Sequence, residues 1–139
     1  MKIKVIFSIC ALLLILIVSC QDSATLEFDR YYSEGGVIYQ NRCENCHDKN
    51  GAGLNWLIPP LNDSAFLKRN LHQLPCFVQN GLNGKLIVGK RHFEGQMPAA
   101  GDLANIEIAQ VLTYITNSFG NKMGIFNVET VNGDLAKCK

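Results

Sequence analysis

The chain has 139 residues, 47% of them hydrophobic and 18% charged, with 13 basic and 12 acidic side chains for a formal charge of +1. That length suits one small domain. The balanced charge, with no basic stripe, argues against nucleic acid as a partner.

At the N-terminus, Lys2 and Lys4 precede an apolar run from Val5 to Val18 that only Ser8 interrupts. The run is shorter than the about 20 residues a bilayer-spanning helix needs and suits the core of a secretory signal. It ends in Ile17-Val18-Ser19-Cys20, which resembles a bacterial lipobox, where a small residue precedes a cysteine that becomes the acylated mature N-terminus. The alternative is an ordinary signal followed by an unrelated cysteine. On the lipobox reading, residues 1–19 are a lipoprotein signal peptide and Cys20 is the lipidation site. Residues 20–32, which have little periodicity, are then a tether, and 33–139 form the domain. Acyl chains buried at about 0.8 kcal/mol per methylene would hold the protein to the membrane without spanning it. The expected location is the extracytoplasmic, periplasmic face of the cell envelope. Loss of Lys2 and Lys4 would leave 11 of the 13 basic residues against 12 acidic ones.

Ser33 is a candidate N-cap, with Glu34 in the first turn of a helix that Val37, Ile38 and Tyr39 make apolar. Gly35 and Gly36 weaken that helix by about 1 kcal/mol each relative to Ala, so they require a packing reason. The helix runs into Cys43-Glu44-Asn45-Cys46-His47. A Cys-x-x-Cys-His run is a c-type haem attachment pattern: two thiols add to the vinyl groups of one porphyrin, and the adjacent histidine faces the iron. A redox dithiol or half a zinc site shares the Cys-x-x-Cys part, but zinc needs a second ligand pair, and Cys76 and Cys138 stand apart.

From Gly51 to Gly101 the chain is rich in glycine and proline, and it reads as short pieces wrapped on a rigid cofactor, with a small helix near Leu71 to Gln79. A six-coordinate iron needs a second axial ligand, and the candidates are Met97, Met123, His72 and His92. Met97 is favoured because it stands in Glu94-Gly95-Gln96-Met97-Pro98-Ala99, a loop placed to fold over a haem. Without that context a lone methionine would be core filler. A second helix is expected from Asn105 to Ser118, with Ile108, Val111, Leu112 and Ile115 at helical spacing and Gly120 beyond its end. Val128, Val131 and Leu135 suggest a short amphipathic helix near the C-terminus. Once Cys10, Cys20, Cys43 and Cys46 are assigned, Cys76 and Cys138 remain as a candidate disulfide in an oxidising compartment. The alternative is two unpaired thiols.

Taken together, the chain resembles a bacterial class I cytochrome c in its lipoprotein form, over Ser33 to Leu135. The resemblance is carried by Gly35-x-x-x-Tyr39-x-x-x-Cys43-x-x-Cys46-His47, Pro59-Pro60-Leu61, Gly89-Lys90-x-x-x-x-Gly95-x-Met97-Pro98 and Val111-Leu112-Thr113-Tyr114-Ile115. It implies an all-α fold of three to five helices around one covalently bound haem c. In such proteins Gly35 lets the first helix cross the last closely, against Val111 and Tyr114. Pro59, or else Pro60, offers its carbonyl to the ligating imidazole, Leu61 packs on the porphyrin, and Trp56 packs there, approaches a propionate or belongs to the core. Asp48 departs from the glycine often found after the histidine, and Ala104 from the usual helix cap. The function implied is single-electron transfer between redox partners through an iron held by His47 and Met97, with no catalytic acid, base or nucleophile. The alternatives are a haem subunit of a larger oxidoreductase, or a peroxidase or gas-binding haem protein if Met97 does not ligate.

Overall fold

The computed structural model describes residues 3–7 and 22–138. Cys20 and most of the expected signal therefore lie outside the described residues. Residues 22–138 form helices α1 (Ser23–Arg42), α2 (Glu44–His47), α3 (Ser64–Arg69) and α4 (Leu74–Asn80), then strands β1 (Leu82–Val88) and β2 (Arg91–Met97). Helices α5 (Asn105–Asn117) and α6 (Val128–Leu135) follow, and a 3-10 turn over Leu71–Gln73 leads into α4. Among the described residues no helix is long and apolar enough to cross a membrane.

Helix α1 begins at Ser23 rather than Ser33, so Ser23 to Tyr32, within the stretch expected to be a tether, are helical. Asp22 caps it by accepting from the Ala24 N–H at 3.4 Å. Its early turns are exposed, which is why no apolar period marks them. Tertiary packing holds the helix from Tyr31 onward: Tyr31 is buried, and the rings of Tyr32 and Tyr114 lie 5.1 Å apart.

Helix α5 crosses α1 at Gly35 and Gly36. A Cβ on Gly35 would overlap the Gln110 carbonyl oxygen and stand 2.5 Å from its carbon and 3.0 Å from Tyr114 Cβ. Those glycines allow backbone contact between helices. Behind the crossing, Tyr39, Ile108, Val111, Leu112 and Ile115 are buried with Phe66, Leu67 and Leu74 from α3 and α4. At Ala104 the missing cap side chain is half compensated, because Glu107 Oε2 accepts from the Ala104 N–H at 2.7 Å.

The domain is not all-α, as the sequence had suggested, but mixed α/β, and it has more helices than the three to five expected. Strands β1 and β2 form an antiparallel hairpin in the register Leu82↔Met97, Leu86↔Phe93 and Val88↔Arg91. Leu82, Leu86, Val88, Phe93 and Met97 face the interior, while Lys85↔Glu94 and Ile87↔His92 face outward. The glycines at 84, 89 and 95 make this segment read as irregular, whereas its period of two is what builds the sheet. The small helix expected over Leu71 to Gln79 divides into the 3-10 turn and α4, with Pro75 in the first turn of α4. A disulfide joins Cys76 on α4 to Cys138 after α6, with Cα atoms 5.7 Å apart.

Candidate functional site

The end of α1 delivers the Cys43–His47 run to the edge of the core, where His47 is buried, Cys43 is half-buried and Cys46 is exposed. Cys43 N–H still bonds to Tyr39 C=O at 2.9 Å, while Cys43 itself has φ −122° and starts the single turn of α2. Cys43 and Cys46 have free thiols among the described residues. Burial pushes the Cys43 thiol up to about 11, so it is protonated at neutral pH. A redox dithiol would instead depend on a depressed thiol pKa.

The turn after His47 is held by unusual backbone. Asp48 has φ 64° and ψ 153°, a conformation that glycine tolerates and other residues pay for. It persists because its carbonyl accepts from the buried Tyr39 hydroxyl at 2.6 Å and its N–H donates to Glu44 C=O at 2.8 Å. His47 N–H and C=O are both used, and Gly53 N–H bonds the latter at 3.0 Å. His47 is 8% exposed, and its Nδ1 lies 3.1 Å from the carbonyl oxygen of Pro59, not Pro60. Burial lowers the pKa of His47, favouring the neutral ring. With Nδ1–H donated to Pro59, Nε2 keeps its lone pair for a metal.

That ring lies on a cavity of about 290 Å³, and a smaller lobe of about 90 Å³ adjoins it behind the hairpin. Cys43, Cys46 and His47 form one wall, Pro59 to Leu61 a second, and Val111, Leu112 and Ile115 of α5 a third. Leu82, Leu86 and Met97 of the hairpin line it as well. Nearly all of this lining is apolar, as a flat hydrophobic macrocycle requires, and the two thiols stand on the same wall as the histidine. The site residues thus fit a covalently attached haem.

Met97 is the last residue of β2, not part of an irregular loop, and its side chain faces inward beside Leu82. The chain can pass this close because Gly81 (φ 72°) lies against the Met97 carbonyl, where a Cβ would overlap it. The other ligand candidates are elsewhere. The exposed His72 pairs with the buried Asp134 of α6 at 3.0 Å, His92 faces outward on the hairpin, and Met123 packs against the core beyond α5. Trp56 is neither core nor buried: it is 66% exposed, with the Arg91 guanidinium 5.8 Å above its ring. At the rim Arg42 pairs with Asp102; exposed pairs of this kind contribute little stability. Asn121 escaped sequence reading, since nothing local marks it, yet it is 1% exposed and bonds the segment after Pro60.

Two comparisons bear on this geometry. A family model described as cytochrome c oxidase, cbb3-type, subunit III, matches residues 31–115. A cytochrome c-552 from Thermus thermophilus is 30% identical over 93 residues, which cover 64% of this chain and 70% of that protein. A second cytochrome c-552 of the same species is equally similar, and the chain spans 62% of its length.

Proposed function

Because the chain belongs to the class I c-type cytochromes, we propose that it passes single electrons between redox partners through one haem c closed by His47 and Met97. The observation that carries this reading is the placement of His47, Met97 and the two thiols on one apolar cavity. When bound, the haem supplies a one-electron ferric/ferrous couple. Cys43 and Cys46 tether it, and Pro59 fixes the tautomer of His47. Leu61, Leu82 and Leu86 exclude water around it. A thioether opposite an imidazole raises the potential relative to two imidazoles.

The same reading places residues 1–19 as a removed signal, an acyl chain on Cys20, and the domain at the extracytoplasmic membrane face. Helix formation from Ser23 would then give a short, stiff connection rather than a loose tether. That favours a fixed membrane partner, and the family description, which names an oxidase subunit, supports a role as a subunit as a second reading.

The test is the oxidised absorption spectrum, in which iron–thioether bonding gives a weak band at the red edge of the visible range. The band should be present in the wild type and absent in Met97→Ala, with a lower midpoint potential and binding of added imidazole in that variant. A high-spin wild type without the band would instead indicate an open iron and peroxidase or gas-binding chemistry.

A further inference from the structure

Asn121 follows the end of α5 and does not line the cavity. Its Nδ2 donates to the carbonyls of Leu61 at 2.8 Å and Ile115 at 3.0 Å, and its Oδ1 accepts from the Ser64 hydroxyl at 2.6 Å. Two carbonyl partners can be served only by the NH2 group, so the amide has one usable orientation and both its protons are engaged.

Leu61 and Ser64 continue the segment whose Pro59 carbonyl meets His47 Nδ1. On its other side this segment is fixed by the Leu61 N–H bond to Gly51 C=O at 2.7 Å. Gly51 is in turn covered by Phe119, from the same turn as Asn121: a Cβ on Gly51 would stand 2.5 Å from Phe119 Cδ2. The turn is itself held to α1 through Ser118 Oγ and Tyr32 OH at 2.9 Å. The 118–121 turn therefore joins the first helix, the backbone just after His47 and the Pro59–Ser64 segment.

We propose that Asn121 is a positioning residue for His47, holding Pro59-Pro60-Leu61 in place so that the Pro59 carbonyl stays on Nδ1. This rests on the reading of His47 as the iron ligand. A carbonyl on Nδ1–H strengthens donation from Nε2 to a metal. Loosening the segment weakens that donation and favours the reduced state, so the midpoint potential rises.

Asn117 provides a matched control. Its Nδ2 donates to Thr113 C=O and Gly124 C=O, both at 2.7 Å, and its Oδ1 accepts from the N–H groups of Met123 and Gly124 at 3.0 and 2.9 Å. None of these partners reaches the Pro59 segment.

The experiment compares Asn121→Ala, Ser64→Ala and Asn117→Ala holoproteins with the wild type. It measures the midpoint potential, solvent exchange of the His47 Nδ1 proton by NMR, and thermal stability. Both asparagine variants should lose stability, but only Asn121→Ala should raise the potential and speed the Nδ1 proton exchange. Ser64→Ala, which removes one of the three bonds, should shift both in the same direction by less, and it serves if Asn121→Ala does not fold. Wild-type potential and exchange in the Ser64 and Asn121 variants, or equal shifts in Asn117→Ala, would overturn the proposal and leave a purely structural anchor. A wild type without covalent haem on Cys43–His47 would instead remove the reading of His47 itself, and this inference with it.

Discussion

Replacing Gly35 by Ala tests the helix crossing on which the α5 wall of the cavity is built. An added methyl gains about 1 kcal/mol of helix propensity. It also overlaps the Gln110 carbonyl and stands 2.5 Å from that carbon, so α1 and α5 must separate by roughly 1 Å to restore ordinary contact. The obstacle is the backbone of a packed helix, which cannot rotate aside. The cost therefore belongs at the upper end of overpacking penalties, about 3 kcal/mol. The net loss is about 2 kcal/mol, or roughly 8 °C in melting temperature for a domain of this size. Gly133→Ala is the counterpart: it sits exposed inside α6 with nothing within 4 Å of the new methyl, and it should gain about 0.5–1 kcal/mol. Thermal unfolding of the holoproteins followed by far-ultraviolet circular dichroism gives both values. A Gly35→Ala protein as stable as the wild type would refute the close-crossing argument.

Two further outcomes follow from the same structure, and a third from the proposed lipid anchor. Asp48→Gly should stabilise the fold by about 1–3 kcal/mol in chemical denaturation by relieving the strained backbone at φ 64°; a destabilised variant would mean that the aspartate side chain matters more than its backbone. Cys138→Ser should lose up to about 4 kcal/mol, the chain-entropy value for a bond spanning a sequence separation of 62, and the same midpoint of unfolding with and without the bond would contradict it. Cys20→Ser should abolish lipid labelling and either release soluble holoprotein or leave the chain unprocessed; normal labelling would rule out the anchor at that residue.

The Cys43–His47 run is legible because it is local: five consecutive residues carry the whole pattern, and α1 ending at Arg42 turns His47 into the core. Helix α5 is legible for a related reason, since Ile108, Val111, Leu112 and Ile115 repeat at the spacing of a buried face. The β-hairpin is not legible in that way. Its glycines look like loop punctuation, and the inward alternation of Leu86, Val88, Phe93 and Met97 emerges only when the two strands pair across Gly89. The start of α1 is hidden because its first two turns are solvent-exposed and carry no apolar stripe. Asn121 is hidden for a third reason: its partners Leu61 and Ser64 are remote in sequence, and only the folded chain brings them within hydrogen-bonding distance.

The most direct test of the electron-carrier account is the proton NMR spectrum of the reduced holoprotein. A methionine on the iron has its methyl group driven far upfield by the porphyrin ring current. The account predicts one such methyl, assigned to Met97, with Met123 at an ordinary position. A Met97 methyl within the normal envelope, or the shifted methyl assigned to Met123, would contradict it.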